Sequence, residues 1–518
     1  TICLVVLLSV GVLSYPVDAQ QPGQITLTPI GRYSAGPGIE RAEIAAYDPT
    51  TRRIFSINPT LSRVDVLDIG DPKDPVLAFT ILLGGRPNSV AIHKGVVAVA
   101  VENAVKTNPG FVRFFDTNGT PLSSVTVGAL PDMLIFTPNG RRLLVANEGE
   151  PNDAYTVDPE GSVSIIDMTV GAANLTQADV RTASFNDSIP KTNAASIRKY
   201  GPGASLAQDL EPEYIAVSHD SKTAWVTLQE NNAIAILDIE KSVFTQLVGL
   251  GFKDHRQRGV GLDASDQDGG INIANWPVLG IYQPDAVESY RVRGATYLVM
   301  VNEGDTRAYS GFNEEIRVGS ASYVLDPTAF PNAAILKQNA NLGRLTVTNA
   351  TGDTDGDGDF DQIVVPGGRS FSIRTADGQL VFDSGDDFEQ ITAGQVAASF
   401  NSNGTAATFD TRSDNKGPEP EGVVLGKAFG RTYAFIGLER TAGVMVYDVS
   451  DPFHPRFIQY VNTSPDDISP EGLLFIKEEE SPNGKPLLVL SHEISSTTTI
   501  FEINKGSAAF SVARGNGR

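Results

Sequence analysis

Apolar residues in this chain fall in short alternating runs broken by Gly, Pro, Asn and Asp, a spacing that predicts strands throughout. The runs come in pairs around a turn, with an acidic residue where the first begins and another where the second ends. The complete pairs are Asp132 with Glu148, Glu213 with Glu230, Asp285 with Glu303, Glu421 with Glu439, and Glu471 with Glu493. Asn88 with Glu102 and Glu43 with Asn58 match in part. Residues that face each other across a hairpin are equidistant from its turn, so each midpoint should fall on turn residues. It falls on Gly140, Gly294, Gly430, Gly95, the Ser221-Lys222 step beside Asp220, the Thr50-Thr51 step, and Pro482 beside Asn483-Gly484.

A third run follows each hairpin, as in Val64–Asp68, Val112–Asp116, Val163–Asp167, Ile234–Asp238, Val444–Asp448 and Thr499–Glu502. A fourth is read at 76–82, 121–127, 244–248 and 456–461. Four antiparallel strands in each of seven units predict an all-β fold, a seven-bladed β-propeller over residues 24–505. The last unit lacks a fourth strand of its own, and residues 24–33 are expected to supply it and close the ring. Irregular spacing between units predicts three insertions, at about 168–208 with a helix near 173–180, at 240–283 and at 305–367. All three are expected on one face, the face that carries the acids. Residues 506–518 read as a disordered tail.

Composition narrows the partners. A net charge of −22 repels nucleic acid and anionic membrane and leaves cations as the natural ligands. Residues 2–13 resemble the apolar core of a signal peptide, with 1–19 as the removable segment, and no apolar stretch is long enough to span a bilayer. The only cysteine, Cys3, lies inside that segment, so the mature chain is expected to be secreted or periplasmic and free of disulfides.

First strands lie nearest the channel of a propeller, so the paired acids would ring its mouth. Two carboxylates about 4 Å apart repel by roughly 4 kcal/mol at an effective dielectric near 20. Arg41, Arg307, Lys416 and Arg440 can offset part of this, raised pKa values another part, and hard divalent cations, Ca²⁺ above all, the most. The plainer alternative is that the acids cap turns and pair with Arg or backbone amides. A separate loop, Asp353-Thr-Asp355-Gly-Asp357-Gly-Asp359-Phe-Asp361, has calcium-loop spacing, with side chains at positions one, three, five and nine, a carbonyl at Asp359, and Gly at position six. Position twelve is Val364, so a missing ligand is expected from Asp386 or Asp387; the alternative is a solvated acidic loop. Asp263, Asp266 and Asp268, near Asp254 and His255, form a weaker candidate. Among the other histidines only His492, beside Glu493, is placed to contribute.

Five stretches carry a resemblance: Leu143-Leu-Val-Ala-Asn-Glu-Gly-Glu150, Gly261-Leu-Asp-Ala-Ser-Asp266, Gly352-Asp-Thr-Asp-Gly-Asp-Gly-Asp359, Gly417-Pro-Glu-Pro-Glu-Gly422 and Tyr433-Ala-Phe-Ile-Gly-Leu-Glu-Arg440. Together they resemble the mesenchyme-specific cell-surface glycoprotein family, whose bacterial members are called choice-of-anchor I proteins. The resemblance implies a secreted YVTN/WD40-like propeller, associated in animals with calcified matrix; some bacterial relatives carry an alkaline phosphatase label. Two functions are therefore expected. One is a calcium-binding module for matrix, mineral or a phosphorylated ligand. The other is a calcium-dependent phosphoesterase in which Arg440 or Arg307 stabilises developing charge.

Overall fold

The computed structural model describes residues 24–506. The expected leader at 1–19, and the expected tail from 507 onward, lie outside the described residues. The fold is all-β, built mostly of four-stranded antiparallel sheets. Six sheets have four strands and one has five, because Lys191–Thr192 adds in parallel to the outer strand Val243–Gly249. Their first strands are Ala45–Asp48, Pro87–His93, Pro131–Phe136, Pro212–Val217, Pro284–Val292, Pro420–Ala428 and Pro470–Ile476. In the last of these sheets the outer strand is Ile25–Ser34, paired antiparallel with Thr497–Lys505.

Second strands such as Val96–Val101 and Leu487–His492 are buried almost end to end. A sheet covered on both faces needs apolar side chains on both, which is why these segments read as continuous apolar runs. Separate apolar cores fill the spaces between successive sheets. One holds Phe55 and Val66 of the first sheet against Val97 and Val99 of the second. Another holds Leu487 and Val489 of the last sheet against Ile54 and Leu67 of the first.

The connections differ from expectation in three places. The third sheet has its own fourth strand, Val180–Ser184, inside the segment read as an insertion; only Ala183 of it is buried, so its sequence shows little alternation. Three short 3₁₀ turns precede it in place of the expected helix. Second, the segments near 240–283 and 305–367 pack on each other: Phe252–Asp254, Val278–Ile281 and Ile363–Val365 form one small sheet. Leu262, Val278, Tyr323, Leu342 and Ile363 share a core there that lies apart from the large sheets. Third, a long connection between Leu380–Asp383 and Pro420–Ala428 carries the helix Asp387–Gln395 and was not expected.

Candidate functional site

The acids of the hairpins reach one cavity because of how each first strand begins. Pro131, Pro212, Pro284, Pro420 and Pro470 make the last ladder pair, with Asn147, Leu228, Asn302, Leu438 and His492, and a bulge follows at once. The bulged residue after each Pro is the acid, so it drops out of the ladder instead of facing its partner across the hairpin as expected. Residues before the Pro adopt left-handed backbone at Leu130 (φ 46), Gln283 (φ 44), Glu419 (φ 51) and Ser469 (φ 64). Such conformations cost about 1–3 kcal/mol each and concentrate at functional sites. A repeated bond holds the second series in place. The amides of Glu102, Glu148, Glu439 and Glu493 donate to the carbonyls of Arg86, Leu130, Glu419 and Ser469, at 2.8–3.0 Å.

The result is a cavity of about 570 Å³ lined by Glu43, Asn88, Asp132, Glu148, Glu213, Asp285, Glu303, Asp305, Glu421, Glu439, Glu471 and Glu493. Eleven acidic side chains line it against three basic ones, Arg86, Lys416 and Arg440. Glu230 stands just behind and is buried. Glu303 accepts from Gln229 Nε2 at 2.6 Å and is paired with Lys416. Arg440 Nη1 lies 2.9 Å from Glu439. Three cations cannot neutralise this set.

The remainder shows in the acidities. Burial, with neighbouring carboxylates adding to it, pushes Asp132 up to about 7. Burial likewise pushes Glu43, Glu230 and Glu439 up to about 8, although Arg86, Arg307 and Arg440 respectively oppose it. Glu148, Glu213, Asp285, Glu421 and Glu471 are driven well above the carboxylate range by burial and then by neighbouring carboxylates. Glu419 goes the other way: burial raises it, but Lys416, Arg412 and Arg440 together pull it below its usual value.

Two groups in the cavity have carboxylate oxygens within 4.8 Å of one another, Glu303/Glu421/Glu439 and Glu439/Glu471/Glu493. Calcium binds oxygens at about 2.4 Å, so oxygens on opposite sides of one ion lie about that far apart. Glu439 belongs to both groups.

Elsewhere the expected residues are divided. In the acidic loop Asp353, Asp355 and Asp357 converge, whereas Asp359 and Asp361 turn to Asp326. The single five-aspartate set is thus two clusters. Asp361 accepts from the Thr354 amide at 2.8 Å, which occupies one of its carboxylate oxygens. Asp326 joins because its amide donates to the Phe360 carbonyl at 3.1 Å, a tertiary contact that no local spacing announces. Neither Asp386, which accepts from the Gly261 amide, nor Asp387, which accepts from Tyr447 Oη, reaches either cluster.

Arg307 is 1% exposed and committed to Asp209 at 2.8 Å and Glu211 at 2.9 Å, which removes it as an anion contact. It braces the segment after Glu303 instead. Arg41 is not among the residues lining the cavity. The patch near residue 263 is consumed internally: Asp266 pairs with Arg344, Asp254 with Arg256, and Asp263 accepts from the Asn272 amide. His255 and His492 are buried, each pushed down by burial, to about 3 and about 4, and neither lines the cavity.

Among the described residues no helix is long and apolar enough to cross a membrane. Among known proteins, the chain is 26% identical over 190 residues, 32% of its length, to Gigasin-3a of Magallana gigas, of which 66% is covered. It is 27% identical over 279 residues, 48% of its length, to the mesenchyme-specific cell surface glycoprotein of Strongylocentrotus purpuratus, of which 36% is covered. It therefore spans about two-thirds and about a third of these relatives. A solved Myceliophthora thermophila structure, the Cps50 (Swd1) β-propeller domain, aligns over 93% of this chain and all of that one, at 10% identity and a TM-score of 0.46. The model of the choice-of-anchor I domain matches residues 43–452, most of the chain, and the protein belongs to that family.

Proposed function

We propose that this protein is a calcium-binding propeller of seven blades, closed by its N-terminal strand, that works outside the cell as a matrix or surface binding module. The cores between successive sheets, the last against the first, support the closed ring. The relative named as a cell surface glycoprotein supports the location.

One observation carries the calcium reading: two carboxylate triads of metal-ion size share Glu439 in a cavity with eleven acids and three bases. Removing charge from water without a counter-ion is expensive, and two divalent ions would lower that cost for the whole mouth. The Asp353/Asp355/Asp357 cluster would take a further ion and order its loop. In the test, the calcium-loaded and chelator-stripped protein is passed over hydroxyapatite and over a surface bearing phosphoserine peptide. Calcium-dependent retention supports the module; equal retention in both states, or none, rejects it.

Arg440 favours a second reading, a calcium-dependent phosphoesterase. It is the cation beside the shared carboxylate Glu439, placed to offset negative charge on a phosphoryl group, for which calcium held by the two triads would serve as a Lewis acid. Turnover of a generic phosphomonoester that chelation abolishes and calcium restores, and that Arg440→Met removes, is the expected result. Absence of turnover with calcium ends this reading for that substrate class.

A further inference from the structure

The acids of the cavity divide into two unlike halves. Around Glu303, Glu439 and Glu493, carboxylates meet Lys416, Arg440 or Ser469 and make groups of metal-ion size. Asp132, Glu148 and Glu213, from the third and fourth sheets, have none of this. Among the described residues no hydrogen bond or ion pair reaches their carboxylates, and they belong to no group with oxygens within 4.8 Å. Glu213 is 9% exposed, lines the cavity, and its Oε2 has no partner. The charges it senses most strongly are Glu230, Asp285, Glu148 and Asp132, all of its own sign.

Geometry says what kind of cation would fit. A calcium ion needs its oxygens about 2.4 Å away on every side. An organic cation donates N–H bonds of about 2.8 Å, and a guanidinium adds its own planar width, so it bridges carboxylates set too wide for one metal ion. Met133, Ile135 and Tyr214 line the adjoining wall and offer apolar surface to an aliphatic stem. We infer that the Asp132, Glu148 and Glu213 side of the cavity is a subsite for a guanidinium or alkylammonium group. This goes beyond the calcium reading and does not depend on it.

Such a group can come from a free amine or from a basic side chain of a protein partner, and two probes separate the sources. Agmatine and a neutral-flanked single-arginine peptide are titrated calorimetrically into the calcium-saturated full chain, with tetramethylammonium, which lacks N–H donors, as control. Agmatine should bind saturably, about tenfold or more tighter than tetramethylammonium. The peptide should match it only if a side chain can enter the cavity. Glu213→Gln, and independently Glu148→Gln, should weaken agmatine about tenfold and leave calcium stoichiometry unchanged. Glu439→Gln should do the reverse, so a failure of the calcium reading is told apart from a failure of this one. Both Gln variants remove an unpartnered charge and should fold at least as stably as the parent, which thermal unfolding checks. No saturable agmatine binding, equal binding of tetramethylammonium, indifference to both Gln variants, or displacement of agmatine by calcium would each overturn the subsite.

Discussion

The cavity and the acidic loop hold similar chemistry in opposite physical settings. In the loop, aspartates adjacent in sequence stay exposed, and backbone amides attend them: Asp353 accepts from Gly356 at 2.7 Å and from Gly358 at 3.1 Å. In the cavity, carboxylates from distant segments are gathered together, most of them half-buried or buried, and the Oε2 atoms of Glu213 and Glu421 have no partner among the described residues. Water and amides make the loop's charges tolerable without an ion. The cavity's charges are tolerable only with protons or cations. Acid density along the chain thus marks the weaker dependence on metal, and convergence in space the stronger.

The sharpest way to expose that contrast is to cut the ion pairs that brace the mouth. Arg307→Met leaves Asp209 and Glu211 buried and unpaired, and urea unfolding should show a loss of about 3–5 kcal/mol. The same measurement on Arg256→Met, which breaks the exposed pair with Asp254, should register about 0–1 kcal/mol.

Calcium comes next. At a hundred times its dissociation constant, one ion bound only by the folded state contributes about 2.7 kcal/mol. Glu439→Gln removes the carboxylate common to both triads, so the calcium-dependent part of the thermal stability should fall by roughly the equivalent of two such ions. A response to calcium unchanged in this variant would place the ions elsewhere.

Acidity should separate the regions in a defined direction. Carboxyls raised to about 7 or 8, as for Asp132, Glu43, Glu230 and Glu439, bind more protons folded than unfolded once pH exceeds the ordinary carboxylate value. Stability therefore falls as pH rises from roughly 4.5 through 8 in the calcium-free protein. Melting of the stripped protein at a series of pH values should show this decline, and the gain from calcium should grow over the same interval. A stripped protein that becomes more stable toward pH 8 would contradict the protonation argument.

The smallest effect belongs to the loop. Asp357→Asn should change global unfolding by only about 0.5 kcal/mol, as for an exposed substitution, yet speed proteolytic cleavage between residues 353 and 361 in calcium. Global destabilisation as large as that of Glu439→Gln would erase the distinction.

Much of this arrangement was legible in the chain because hairpin geometry is local. Turn residues at Gly140, Gly294 and Gly430 fix register, and register brings Asp132, Asp285 and Glu421 to the same end of their strands. The bulge after each Pro was not legible, since it falls at the first residues of the strand, where no alternation precedes it to be broken. Val180–Ser184 was missed because an outer strand with one buried residue carries almost no pattern. Asp326 and the burial of Arg307 depend on tertiary partners tens of residues away, and the sequence near them resembles any polar loop. The Asp263 patch misled for the converse reason: its carboxylates are close in sequence, but Arg344, Arg256 and backbone amides satisfy them separately.

Calcium stoichiometry by equilibrium dialysis near pH 8, on the parent and on two variants, tests the central claim most directly. Glu439→Gln should bind about two fewer ions and Asp357→Asn about one fewer, in keeping with the carboxylate groups that each disrupts. If Glu439→Gln binds as many ions as the parent, the acids of the cavity are held by protons alone and the proposed metal centre does not exist.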